Sequence, residues 1–174
     1  MLWIRSADTG DRDGIAAMIG ARTAWMSERG LRFFEGAADT IARQAGDPEF
    51  LVWVLVQDGG VLGCTTVFDE SPEWAFTETE RAEPALFLAS TWTMPSEGRR
   101  LGFVIARWAL DHAARSGRTS VRRGAFEQGL MRYYCQVQGW TLLRELERRG
   151  RTAYIMARPA ELQPDLAVAV PTGR

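Results

Sequence analysis

The sequence predicts a single domain mixing helices and strands, α/β or α+β in class, and three observations carry that expectation. Its 174 residues, 46% hydrophobic, suffice for one well-buried core and are too few for a second full domain. Segments with a helical apolar period alternate with β-branched and aromatic runs. Two pairs of such runs are joined by short turn sequences, "FLVWVLVQ" and "VLGCTTVF" around "DGG", then "WTLLRELE" and "RTAYIMAR" around "RRG", and each pair reads as a hairpin.

The elements follow in chain order. "LWIR", residues 2–5, is a short first strand, and Thr9 or Asp11 caps the helix through "DGIAAMIGARTAWM", because a short oxygen-bearing side chain there satisfies a free helical N–H. Ile15, Met18, Ile19, Arg22 and Trp25 recur at helical spacing and give that helix one buried face. A shorter helix over 37–45 closes at "GDP"; the first hairpin follows, then an acidic segment, then the strand "ALFLASTWT" at 85–93. In the next helix Leu101, Val104, Ile105, Trp108 and Ala109 line one face, Arg107, Asp111 and Arg115 the other, and Gly117 ends it. "TSVRRG" is a strand, "GLMRYYCQV" a short helix, and the second hairpin completes a domain of residues 1–158. Residues 159–174, with no amphipathic period, read as a loosely attached tail.

Charge is unevenly spread. The net charge is −1, yet residues 69–84 carry six acids against one base, and residues 99–158 carry thirteen arginines against four acids. An anionic ligand is expected at the second region and a cationic one at the first. Cys64 and Cys135 are far apart inside periodic segments, so both read as small buried residues with neither disulfide nor metal site expected. The lone His112 reads as packed or solvated. With no long apolar run and no signal-peptide pattern, the chain is expected in the cytoplasm without a membrane partner. The acidic segment, the overall charge and the lack of a binding motif argue against nucleic acid.

The stretch "EGRRLGFVIARWALDHAARSG", residues 97–117, joins a glycine and arginine turn to a helix. Such a junction gathers free backbone N–H groups and the positive end of a helix dipole at one spot, where phosphate binds. Glycine lets the oxygens approach, and arginine adds bidentate charge. The lysine of a Walker loop is missing, and so are the glycines of a dinucleotide fingerprint.

In this order of elements the chain resembles, over roughly residues 3–158, the GNAT superfamily of acetyl-CoA-dependent N-acetyltransferases. The resemblance implies a mixed, mostly antiparallel central sheet of six to seven strands flanked by about four helices. The family's pyrophosphate loop, Q/R-x-x-G-x-G/A, is met by Arg99, Arg100, Leu101, Gly102, Phe103 and Val104 at the first arginine and first glycine, with Val104 in place of the usual small residue. The resemblance therefore implies acetyl-CoA as cosubstrate, its pyrophosphate held by Arg99 to Gly102 with Val104 and Ile105, and its pantetheine arm by Trp92, Thr93 and Met94. Glu127 stands where the family often has asparagine.

The family's tyrosine is matched in "YYCQVQGW" by Tyr134, followed by Val137, Gln138, Gly139 and Trp140; Tyr133 is the second choice, and without a one-residue shift Cys135 would take the position. The chemistry supports a phenol there, since the thiolate expelled from a thioester has a conjugate acid about two units or less below phenol's pKa of about 10. Packing is the alternative role, because Leu130, Tyr133, Tyr134 and Val137 share one helix face. Asp69 and Glu70 are candidates for taking the amine's proton. The resemblance puts the acceptor near Trp25, Leu31, Phe33, Phe34 and the turn at Arg149. The reading is an N-acetyltransferase acting on a primary amine of a small molecule or peptide by direct transfer in a ternary complex, with no metal; the alternative is a non-catalytic acyl-CoA-binding module. Monomer and homodimer are both open. No lysine occurs in the chain, so it offers no side-chain amine for its own acetylation.

Overall fold

The computed structural model describes residues 1–96 and 99–171; Glu97 and Gly98, which open the arginine turn, lie outside the described residues. The strands are β1 (Trp3–Ser6), β2 (Leu51–Gln57), β3 (Gly60–Phe68), β4 (Ala85–Thr93), β5 (Ser120–Ala125), β6 (Thr141–Arg148) and β7 (Arg151–Pro159). The helices are α1 (Arg12–Glu28), α2 (Ala37–Gln44), α3 (Glu78–Ala82), α4 (Leu101–Arg115) and α5 (Gln128–Gln138). The seven strands form one sheet in the order β1-β2-β3-β4-β5-β7-β6. The β1–β2, β2–β3, β5–β7 and β6–β7 pairs are antiparallel, and β4–β5 is parallel. Among the described residues no helix is long and apolar enough to cross a membrane.

The sequence reading counted about four helices and missed α3 in the acidic segment. Thr77 accepts from the Glu80 N–H at 3.2 Å while Glu80 Oε2 accepts from the Thr77 N–H at 3.0 Å. This capping box is legible as "TETE" and was hidden by the density of charge.

Two compact groups of residues make up the chain. The first holds Met1–Val67, Ser90–Ala106 and the residues from Asp165 onward. Its core sets Ile15, Met18 and Ile19 of α1 and Ile41 of α2 against Val52 and Val54 of β2 and Cys64 of β3. Asp58 and Gly59 both adopt left-handed backbone, φ 51° and 81°, which a two-residue turn between twisted strands demands. Asp11 stands at the expected cap position of α1 but makes no cap bond. Its carboxylate instead accepts both Arg5 terminal nitrogens at 2.8 Å and the Asp8 N–H at 2.9 Å. Far along the chain, Ala169 pairs with β1: the Ile4 N–H donates to its carbonyl and its own N–H to Leu2, each at 2.9 Å.

The second group holds Phe68–Ala89 and Arg107–Pro164. Ala75, Phe76, Phe87, Ala153 and Ile155 form its apolar centre, with Phe76 and Phe87 edge to face at 6.1 Å. The parallel ladder runs from Ala85 opposite Ser120 to Leu88 opposite Arg123, and β4 continues beyond it to Thr93.

Beyond β7, where a loose tail was expected, Ala160, Glu161 and Gln163 are hydrogen-bonded to the second group. The Ala160 N–H donates to the Thr119 carbonyl at 2.9 Å and the Glu161 N–H to that of Leu110 at 3.2 Å. Asp111, expected on the solvent face of α4, is buried and accepts the Gln163 N–H at 2.9 Å and Arg115 Nε at 2.6 Å. Arg107 Nε donates to the Gln163 side chain at 2.7 Å. Backbone bonding of this kind leaves no trace in amphipathic period.

Candidate functional site

Nine of the predicted site residues lie in the first group, Trp92 to Met94 and Arg99 to Ile105 with Phe103 excepted. Trp92 and Met94 pack against the α1/α2 core. Arg22 of α1 fixes the end of β4: its Nε donates to the Thr93 carbonyl at 2.7 Å, and one terminal nitrogen donates to Thr93 Oγ1 at 3.0 Å and the Met94 carbonyl at 3.3 Å. Burial, with Arg29 nearby, lowers the Arg22 guanidinium from its usual value. The two arginines flank the Trp25 ring, 4.9 Å and 3.9 Å from its centroid. Burial pushes the Cys64 thiol, beside the Trp92 backbone, up to about 12, so it packs as a thiol and is no nucleophile.

At the start of α4, Arg99 and Arg100 are both exposed. Arg99 donates to Gln57 Oε1 at 2.6 Å, and Arg100 adopts left-handed backbone with φ 49°, uncommon for a residue with a side chain. The Phe103 and Val104 N–H groups both close on the Arg100 carbonyl, at 2.9 Å and 3.2 Å; those of Leu101 and Gly102 precede the first intrahelical bond. A Cβ built on Gly102 would meet nothing within 4 Å. Leu101 and Ile105 are 4% and 1% exposed, so they can serve a ligand only through their backbone. The start of this fifteen-residue helix thus combines the positive end of a helix dipole, two exposed arginines beside it and open space over glycine, an arrangement that can accept an anion.

In the second group, Tyr134 of α5 is half-buried, and its hydroxyl oxygen accepts from Arg123 Nη2 at 2.9 Å. The Arg123 guanidinium lies 3.8 Å from the Tyr134 ring centroid and 5.3 Å from that of Trp140. With the lone pair engaged, the hydroxyl proton is left to donate elsewhere. Of the four residues expected to share a packed face, Leu130, Tyr133 and Val137 are 42%, 39% and 48% exposed, while Tyr134 is half-buried and the helix buries Met131 and Gln138. Cys135, expected buried, is only half-buried.

The two carboxylate candidates separate. Asp69 is paired with Arg118, whereas Glu70 lines a pocket of about 680 Å³ together with Phe68, Trp74 and Phe87.

No protein-family model matches the chain, and neither does any curated protein. Solved structures do match it. A GNAT-family acetyltransferase of Listeria monocytogenes 4b F2365 superposes with a TM-score of 0.70 at 17% identity, covering 91% of this chain and 94% of that one. yncA of Salmonella typhimurium, solved with its cofactor acetyl-CoA, gives 0.61 at 16% identity over 95% and 97% of the two chains. The ribosomal-protein-S18-alanine N-acetyltransferase of Escherichia coli gives 0.64 at 16% identity over the same 95% and 97%. The fold is that of the GNAT acetyltransferases.

On the GNAT fold, the predicted loop residues lie together at the start of α4. Trp92, Thr93 and Met94 form a second set at the end of β4, and Leu31 and Phe34 of the α1–α2 connection are 45% and 56% exposed. Glu127 pairs with Arg151 at 2.8 Å. His112 stacks on Trp108 at 5.0 Å, in keeping with a packing role. Two further arginines hydrogen-bond predicted site residues, Arg22 to Thr93 and Arg123 to Tyr134. Arg22 was read only as part of a helix face; Arg123 had a signal, a charge inside the strand pattern "TSVRRG", that went unused.

Proposed function

We propose that this protein is an N-acetyltransferase that moves the acetyl group of acetyl-CoA to a primary amine of a small molecule or peptide by direct transfer in a ternary complex. The observation that carries the reading is the anion cradle at the start of α4 on a GNAT fold, with open space over Gly102 and two exposed arginines before it. Bound acetyl-CoA supplies an acetyl thioester, an activated acyl donor.

Arg99 and Arg100 contribute charge toward the pyrophosphate and Leu101 and Gly102 their free helix-start N–H groups, while Val104, whose N–H closes on the Arg100 carbonyl, and Ile105 continue the helix that presents them. Trp92, Thr93 and Met94 offer strand backbone to the pantetheine arm; support comes from β4, which runs past its ladder with β5. Tyr134 donates its hydroxyl proton to the departing sulfur. Glu70, free of the ion pair that holds Asp69, takes the amine's proton, directly or through water. The acidic and aromatic lining around it suits a cationic acceptor with apolar surface.

Isothermal titration of acetyl-CoA, beside Arg99→Ala/Arg100→Ala, followed by a free-thiol assay over an amine panel, tests the reading. Micromolar binding lost in the double variant, with thiol release on adding an amine, is expected. Binding without thiol release, indifferent to Tyr134→Phe, would make the protein an acyl-CoA-binding module. A folded protein that does not bind acetyl-CoA would overturn the reading.

A further inference from the structure

Arg122 and Arg123 are neighbours on β5 and equally buried, 4% and 5% exposed, yet their surroundings are opposite. Arg122 Nη1 donates to Ser71 Oγ and the Glu80 carbonyl, both at 2.9 Å, and Nη2 to Glu83 Oε2 at 3.2 Å. The Phe76 ring covers it at 4.8 Å. That is a buried charge with its partners supplied.

Arg123 has one hydrogen-bond acceptor among the described residues, the Tyr134 hydroxyl. Its Nε is buried without a partner there, and no carboxylate among them pairs with it. Burial lowers its guanidinium, an effect that Tyr134 only opposes. A buried cation held by one neutral hydroxyl and two ring faces is costly, and an apolar side chain between the same rings would be easier to fold around. Stability therefore gives no reason for arginine here. The surroundings do: Arg123 touches the Tyr134 hydroxyl and ring, and the nearby Trp140 is tied to the same helix, its backbone N–H donating to the Tyr134 carbonyl at 3.2 Å and its Nε1 to Gln138 Oε1 at 3.1 Å.

We infer that Arg123 is a positioning residue for Tyr134, fixing the phenol with its oxygen toward the guanidinium and its proton directed away, and stabilising the phenolate left once that proton is given up. The inference rests on the proposed role of Tyr134 as acid. In the step it serves, the amine nitrogen bonds the acetyl carbon, the C–S bond breaks with its electron pair going to sulfur, and the Tyr134 proton follows to that sulfur. The O–H electron pair stays on the phenolate oxygen, which Arg123 Nη2 holds. The proton that Glu70 takes from the amine passes through solvent to the phenolate, so amine and thioester become amide and thiol with Glu70 and Tyr134 restored.

The test uses the full chain, with Arg123→Met, Arg123→Lys, Tyr134→Phe and the double variant Arg123→Met/Tyr134→Phe. Without any substrate, Cζ-labelled tyrosine NMR resolves three tyrosines, with Tyr134 assigned from its loss in Tyr134→Phe. Its resonance is expected to move in Arg123→Met and less in Arg123→Lys, while the urea midpoint of Arg123→Met stays level or rises. With acetyl-CoA and an amine found by the panel, kcat is expected to fall about tenfold or more in Arg123→Met, with acetyl-CoA affinity within about twofold and partial return in Arg123→Lys. The double variant is expected to be no slower than Tyr134→Phe alone, the coupling that marks residues acting through one another. Equal losses in both backgrounds, an unmoved Tyr134 resonance, or an Arg123→Met protein that is slow only because it is unstable would overturn the inference. If Tyr134→Phe turns over at full rate, the proposed acid itself fails; if it is slow while Arg123→Met is not, only this inference does.

Discussion

Arg22 Nε and the Thr93 carbonyl lie 2.7 Å apart, and through that bond a helix fixes the end of the strand proposed to meet the cosubstrate's arm. Replacing Arg22 by Met leaves the Thr93 and Met94 carbonyls short of a donor. The expected cost is about 1–3 kcal/mol, read as a lower urea midpoint, with acetyl-CoA affinity several-fold weaker in titration. Unchanged affinity would remove this strand end from the site.

Gly102 separates folding from binding. Because a Cβ there meets nothing within 4 Å and the backbone is not left-handed, Gly102→Ala should leave stability level or raise it by up to about 1 kcal/mol. The same methyl group fills the space proposed for the pyrophosphate, so acetyl-CoA should bind tenfold or more weakly. A variant that binds as well as the parent would show that no ligand approaches the backbone closely at this glycine.

The single histidine isolates a pH effect. Burial, then Arg118, lowers His112 below its usual value, against the pull of Asp69 and Asp111. The unfolded chain therefore takes up this proton first as pH falls below about 6.5, and stability drops until the folded-state value is passed. Arg5 holds Asp11 low and Arg144 holds Glu80 low, but those contributions fade only below about pH 4 to 5. Unfolding midpoints between pH 7.5 and 5.5 should fall for the parent and fall less for His112→Gln. Equal slopes would assign the effect elsewhere.

Ending the chain after Pro159 tests how firmly the last segment is held. It removes the Gln163 N–H from buried Asp111. Burial raises that carboxylate, and Arg115 with the Gln163 backbone outweighs it to hold it low. The truncated protein should lose at least about 1–3 kcal/mol in urea unfolding. An unaltered midpoint would mean that these bonds contribute nothing net.

The fold was legible where local chemistry is decisive. Alternation and left-handed turn residues at Asp58-Gly59 and Arg149-Gly150 announced both hairpins, and the apolar period of α1 matched its buried Ile15, Met18 and Ile19. What stayed hidden depends on partners distant in sequence. Asp111 looked like a solvent-facing helix residue until Gln163 covered it, and the face of Leu130, Tyr133 and Val137 looked like core although the helix buries Met131 and Gln138 instead. At the site, the arginine turn was visible as a motif. Arg22 and Arg123 were not, because a guanidinium's role depends on which carbonyl or hydroxyl it meets.

The pairing of Ala169 with Leu2 and Ile4 brings early and late residues side by side at one edge of β1. For the segment 1–171, chain order is therefore separable from architecture: a short flexible linker could join its last residue to its first, with new ends opened at the exposed Asp58-Gly59 turn. Such a circular permutant should fold to the same sheet and would place both ends of the polypeptide at a hairpin tip, well suited to immobilisation or fusion.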